Sequence, residues 1–466
     1  MKKNNLTYED LKLGEKTKDL FFRGESYEEI RETCPVYVNT KPVYAGLNVT
    51  DLAIAGVLAG MNTLLVGNTG CGKSQLARDF NNYYFGGEKA NGGNGLTIEG
   101  HSDLDIYSDI FTNVDLERAR RVLNDNHKSL FFDLEEFNRC PPITQNQFYG
   151  IGNGRLIHNG QSVQIGRDGY RTTIATANIG NGEFQGTFET DKALLNRFGV
   201  VLDFDYPMFM PTSEDEILVI ESRIADPGVK EAPIRDISDK IIQLSNEIGE
   251  KSGSPGLDAL AVANYLRFGL RNCYSGNNES VSKSKTWPYQ CQACNQNSGN
   301  NALCSLVREP QPRTIQSMIK YATALEYLAK LKNPKQEINP RDLMFKAFEL
   351  TSAYQHVLNP SVLKQEYSDE NPVMMQDVVQ KLKQDYMENE DLILTSLEEA
   401  VEGNKSLDYY QAEGQTFLGY NKLNKTAKLE VAPIQPFTNK RQIGLGWVED
   451  AVDFELKKQS SRGNSK

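Results

Sequence analysis

No apolar run in the 466-residue chain approaches the roughly 20 residues a bilayer-spanning helix needs. The opening stretch, MKKNNLTYEDLKLGEK, lacks the apolar core of a secretory signal, so cytoplasmic retention is the expectation. Positive charge is in deficit. Against 62 Asp and Glu stand 51 Lys and Arg, a formal net charge of −11 that weighs against broad binding to nucleic acid or an anionic membrane. Histidine is scarce, and His101, His127, His158 and His356 are scattered without ligand spacing, which reads as structural use. Seven cysteines, an odd number with no secretory signal, argue against a disulfide framework. What remains is a globular composition, 39% hydrophobic and 24% charged, long enough for two or three domains.

Patterning divides the chain. Residues 1–45 form a charged lead-in. Over 46–212, the short apolar runs Thr63–Val66, Leu130–Phe132, Thr172–Ala175 and Val200–Phe204 alternate with helical and Gly-rich pieces, which predicts a parallel sheet covered by helices on both faces. Residues 213–358 read as helical, opening on a Ser213/Glu216 capping box and carrying a polar, Cys-rich insert at 272–304. Residues 359–466 read as a charged helical extension, VVQKLKQDYMENEDLILTSLEEAVEG, and a looser, disordered tail.

Gly67, Asn68, Thr69, Gly70, Cys71, Gly72, Lys73 and Ser74 spell GNTGCGKS, a match to G-x-x-x-x-G-K-[ST]. The motif follows the apolar TLLV and precedes the helical SQLARDFNNYYF, the strand–loop–helix context of a phosphate-cradling loop. Backbone N–H groups would turn inward around nucleotide phosphates, Lys73 would bridge the outer phosphates, and the Ser74 hydroxyl would ligate Mg²⁺. Cys71 reads as a small filler.

Downstream lies LFFDLEEFNRCPP, with three acids where two suffice. Either Asp133 ends the strand, or Glu135 and Glu136 are the working pair with Asp133 inside it. Alternation puts Asp133 and Glu135 on one face and Glu136 on the other. A third strand, YRTTIATAN, ends at Asn178, a polar tip suited to orienting water, or else a plain strand-end cap. KALLNRFG places Arg197 at a helix end, where it could also be an ordinary surface arginine; Arg313 follows Pro312 and could simply start a helix.

GNTGCGKS, EEFNRCPPITQNQFYGIGNGRL, IATANIGNGEFQGTFETDKALLNRF and QPRT, in this order, resemble the AAA+ ATPases, and within them the MoxR branch that includes the NorQ/CbbQ, GvpN and CobS-like proteins. The resemblance spans about residues 45–330. It implies a P-loop NTPase α/β domain followed by an α-helical lid, ATP with Mg²⁺ as cofactors, and ATP hydrolysis. The family's acidic pair precedes I-N-R, so the likeness gives Glu135 the metal-side role and Glu136 that of catalytic base, leaving Asp133 as a spare beside the metal. It makes Asn178 sensor 1, Arg197 an arginine finger offered to a neighbouring subunit, and Arg313 sensor 2. HSDLDIYSDIFT and the Asn159-Gly160 hairpin in GRLIHNGQSVQI match two family insertions. The implied assembly is a homo-hexameric ring that remodels a protein client or inserts its metal, often beside a von Willebrand A-domain partner. A nucleic-acid-directed NTPase and a weakly hydrolysing nucleotide-gated scaffold are the alternatives.

Cys273, Cys291, Cys294 and Cys304 share a 32-residue window with one C-x-x-C pair, outside the family pattern. In a reducing compartment they read as a structural Zn²⁺ site, with an iron–sulfur cluster or unligated thiols as the other options.

Overall fold

The computed structural model describes residues 41–178, 187–188, 190, 192–223, 234–270, 272–273, 281–282, 287, 303–388 and 390. It divides into two compact units, 1–249 with 324–337, and 250–323 with 338–466. Of the clustered cysteines, Cys291 and Cys294 lie outside the described residues, and Cys273 and Cys304 are described only in their backbone. The zinc expectation therefore falls outside what the structure describes, as do the lead-in to residue 40 and the extension beyond residue 390.

The first unit is built on a sheet. Strands β1 (Asn62–Val66), β2 (Gly95–Glu99), β5 (Phe131–Glu135), β8 (Thr172–Ala177) and β9 (Val200–Asp203) lie in the order β2-β5-β8-β1-β9. Every neighbouring pair is parallel, with Leu64 opposite both Ala175 and Val201, and Thr97 opposite Asp133. β1, β5 and β8 are buried along their whole length, as continuous apolar runs in a doubly covered parallel sheet should be. Two hairpins interrupt the order: β3 (Thr112–Asp115) with β4 (Arg120–Leu123), and β6 (Arg155–His158) with β7 (Gln161–Gln164). Asn159 and Gly160 both have positive φ, 48° and 75°, the two-residue turn that the Asn-Gly pair specifies.

Helix α1 (Val49–Leu58) precedes β1 and is fixed by a reciprocal capping box between Asn48 and Asp51. α2 (Lys73–Phe85) follows β1; α3 (Phe148–Asn153) and α4 (Lys192–Leu195) flank β8 in sequence. α5 (Ser213–Arg223) is capped one residue earlier than the sequence suggests. Thr212 Oγ1 accepts from Asp215 N (3.2 Å) and Asp215 Oδ2 accepts from Thr212 N (3.1 Å), so the box is Thr212/Asp215 rather than Ser213/Glu216. α6 (Ser238–Gly253) runs across the boundary at residue 250, where the second unit begins.

Among its described residues the second unit is mainly helical, with α7 (Leu257–Asn264), the first part of α8 (Pro312–Lys332), α9 (Pro340–Ser352), α10 (Pro360–Glu366) and α11 (Asn371–Glu388), and it holds one short antiparallel pair, Asn272–Cys273 with Val281–Ser282. α9 and α10 begin alike, with an Asn N-cap followed by Pro at the first helical position. Their core includes an aromatic trio in which Tyr386 meets Tyr265 and Phe345 edge-on, at 5.3 and 5.7 Å between ring centroids. Among the described residues, no helix is long and apolar enough to cross a membrane.

Candidate nucleotide site

Gly67 to Ser74 turn from β1 into α2. Gly67, Gly70 and Gly72 have φ of 139°, 82° and 88°, values an L side chain rarely adopts. A Cβ on Gly67 would also press on Phe204 Cβ at 3.1 Å and Asp205 Oδ1 at 3.4 Å. Asp205 Oδ1 in turn accepts from Asn68 N (3.1 Å), so the end of β9 props the loop. Gly72 caps α2 without a side chain, leaving first-turn N–H groups as donors at the positive end of the helix. Lys73 is buried inside this cradle; its Nζ donates to Gly67 O (2.8 Å), Asn68 O (2.7 Å) and Cys71 Sγ (3.4 Å). Burial pushes the Cys71 thiol pKa up despite the neighbouring ammonium, which keeps it protonated.

The tip of β5 stands beside this helix. Asp133 is wholly buried and neither of its carboxyl oxygens has a hydrogen-bond partner. Burial, then the negative Glu135, raise its pKa well above the usual carboxylate range, so it holds its proton. Glu135 is taken by Arg78 in a bidentate pair, Nε to Oε1 at 2.8 Å and Nη2 to Oε2 at 3.4 Å. Arg78 lies one helical turn beyond Ser74, on the same face of α2.

Glu136 leaves the strand in a left-handed conformation, φ 48° and ψ 41°, a strain of roughly 1–3 kcal/mol for a non-glycine residue. Its N–H donates to Thr176 Oγ1 (2.9 Å). Gly100 permits the turn: its N–H donates to Glu135 O (2.8 Å), and a Cβ there would stand 2.4 Å from Glu136 O. This turn, rather than the pleat, aims the Glu136 carboxylate. Oε1 accepts from Asn178 Nδ2 at 3.3 Å, and Oε2 pairs with Arg139 Nε at 2.7 Å. Asn138 Nδ2 donates to Asn178 O (3.0 Å), tying the two strand ends together. Glu136 and Asn178, 42 residues apart, thus meet at the carboxyl edge of the sheet. Arg139 belongs to this group although the sequence assigns it no role of its own; its signals are the N-R that follows the acidic pair and the i, i+3 spacing from Glu136.

Arg197 is anchored at the opposite edge. Asn62, the first residue of β1, donates through Nδ2 to Arg197 O (2.8 Å) and Gly152 O (3.1 Å). The five residues of β1 rise about 13 Å before the phosphate loop begins. The Arg197 guanidinium lies over the Tyr149 ring, 5.0 Å from its centroid, and donates from Nη1 to Ala193 O (3.0 Å). Beneath it, Arg171 donates from Nη1 to Asn62 Oδ1 (2.8 Å) and from Nη2 to Gly152 O (2.7 Å). Burial lowers the Arg171 pKa to about 10, still charged at neutral pH. Arg313 stands in the first turn of α8, in the second unit.

Among the described residues no group of three or more His, Cys, Asp or Glu side chains could hold a metal ion. The Ser74 hydroxyl and Glu135 carboxylate are nevertheless donors of the hard oxygen type that Mg²⁺ takes together with nucleotide phosphates. Asp133 shares the strand face of Glu135 but is wholly buried, with neither oxygen partnered.

Residues 62–198 match the family model of the AAA domain, dynein-related subfamily. No curated protein matches the chain. Among solved structures, the chain is similar to the crystal structure, at 2.00 Å resolution, of a protein from Cytophaga hutchinsonii ATCC 33406 described as a "putative ATPase". The TM-score is 0.50 and the identity 15%, over 77% of this chain and 98% of that one, a likeness of fold. The sheet order, the glycine loop entering α2 and the matched segment make residues 62–198 an AAA domain of the P-loop NTPase fold.

Proposed function

We propose that the protein is a ring-forming ATPase that hydrolyses ATP to ADP and phosphate. The observation that carries this reading is the meeting of Glu136 with Asn178 at the sheet edge from which the phosphate loop emerges. In it, Glu136 takes a proton from the attacking water while Asn178 holds that water in line with the terminal phosphate. Lys73 exchanges the loop carbonyls for phosphate oxygens when ATP enters. Ser74 and Glu135 would hold Mg²⁺, which when bound neutralises charge on the phosphate oxygens. Arg313, in the second unit, keeps the sensor 2 role that the resemblance implies.

Arg197 acts in trans. Its anchor at the amino end of β1 keeps it from its own phosphate loop, so a site is complete only when a neighbouring copy supplies the finger. A hexamer that remodels or matures a protein client, alone or with a von Willebrand A-domain partner, is the assembly this reading favours. The Arg78 pair on Glu135 favours one rival, a scaffold that binds ATP but scarcely hydrolyses it. Phosphate release by the full chain decides. The ATPase reading expects a per-subunit rate that rises with protein concentration and with a co-purified protein partner but not with DNA. No release above the Lys73→Ala background supports the scaffold, and stimulation by DNA alone supports a nucleic-acid translocase.

We also assign a structural Zn²⁺ to Cys273, Cys291, Cys294 and Cys304, on their spacing. Elemental analysis should return about one zinc per chain. Metal-free protein with freely titrating thiols refutes the assignment.

A further inference from the structure

We propose that Arg78 is a movable counter-ion that competes with Mg²⁺ for Glu135 and retreats to Glu99 when the metal loads. Glu135 is nearly buried and both of its carboxylate oxygens are taken by one guanidinium. A cation arriving at that carboxylate must share it with Arg78 or displace it. The geometry supplies somewhere for Arg78 to go. Arg78 Nη2 lies 3.7 Å from Glu99 Oε1, and Glu99 is the register partner of Glu135 at the end of β2, with an exposed side chain. The Arg78 side chain is about one-third exposed, so its guanidinium can turn between the two carboxylates without opening the core. One arginine facing two carboxylates, one buried and one exposed, is a two-position element that metal would bias.

The inference rests on Glu135 being the metal-side acid, and the test separates the two. The full-length chain is titrated with Mg²⁺ while binding of a fluorescent ATP analogue is followed, and steady-state kcat is measured in parallel. Arg78→Gln removes the competitor, so half-saturation should fall to roughly one-tenth of the wild-type Mg²⁺ concentration. Its kcat should drop as well, because Glu135 is no longer held in place; a purely structural defect would weaken binding and rate together. Arg78→Lys, which keeps the charge but not the fork, should fall between. Glu99→Gln removes the retreat position and should move half-saturation the other way, upward by about two- to threefold at low salt. Unchanged or higher Mg²⁺ demand in Arg78→Gln overturns the inference, as does a downward shift in Glu99→Gln. Glu135→Gln tests the premise: an unaltered Mg²⁺ requirement there refutes the metal role of Glu135 itself.

Discussion

Glu136→Gln is expected to lower the rate of ATP hydrolysis by about 10²–10⁴-fold while leaving ATP binding intact. The substitution keeps the size of the side chain and an oxygen able to accept from Asn178, but it removes the base and the ion pair with Arg139. Nothing in the phosphate cradle depends on this side chain. The loop is held by Gly67, Asp205 and the Lys73 ammonium, none of which touches Glu136 in the contacts described. Phosphate release and equilibrium nucleotide binding, measured on the same preparation, check it. A wild-type rate in Glu136→Gln rules the residue out as the water-activating group. Loss of binding as well as rate would mean that the left-handed turn at Glu136, held by Thr176 and admitted by Gly100, had collapsed.

Arg197→Ala should cost roughly 10³-fold or more in hydrolysis, in the range of an arginine finger, without weakening ATP binding to the single chain. The binding arm follows from position: the residue is tied to the first residue of β1 while the phosphates enter beyond the last. Truncation also removes the stem that packs on Gly152 and the cation–π contact with Tyr149, so a second variant isolates the charge geometry. Arg197→Lys retains most of the stem and the charge, yet it cannot offer the planar fork, and it should remain deeply impaired. Sizing of both variants should match wild type, and thermal unfolding of Arg197→Lys should lie closer to wild type than that of Arg197→Ala. Hydrolysis within a few-fold of wild type in Arg197→Ala would remove the finger from the mechanism.

The parts of this arrangement legible in the sequence are those with local signatures. GNTGCGKS between an apolar run and a helical pattern located the loop, and Asn159-Gly160 located a hairpin, because glycine torsions and turn chemistry are written in adjacent residues. Four of the five sheet strands stood out as apolar runs. The fifth, Gly95–Glu99, did not, since it begins with glycine, ends in glutamate and carries threonine at its centre. β5 runs on to Glu135 because its acids are neutralised within the fold, Asp133 by its retained proton and Glu135 by Arg78. Hydropathy alone marks only Leu130–Phe132; of the two registers open in the sequence, the strand follows the one with Asp133 inside it. Alternation along the pleat could not supply the aim of Glu136, because the residue sits in a left-handed turn that Gly100 makes room for. Asn62 and Arg171, which anchor Arg197, are 109 residues apart and have no motif. Only the folded chain brings them together.

The most direct test of the account mixes two inactive proteins. In the proposed mechanism, Lys73→Ala chains should fail to engage ATP productively while still carrying Arg197, whereas Arg197→Ala chains should bind ATP but offer no finger. Combined in equal amounts and allowed to exchange subunits, they should recover up to about a quarter of wild-type phosphate release, because that fraction of random interfaces pairs an intact loop with an intact finger. Activity no greater than the sum of the two variants alone, in mixed assemblies verified by sizing, would contradict a site shared between subunits.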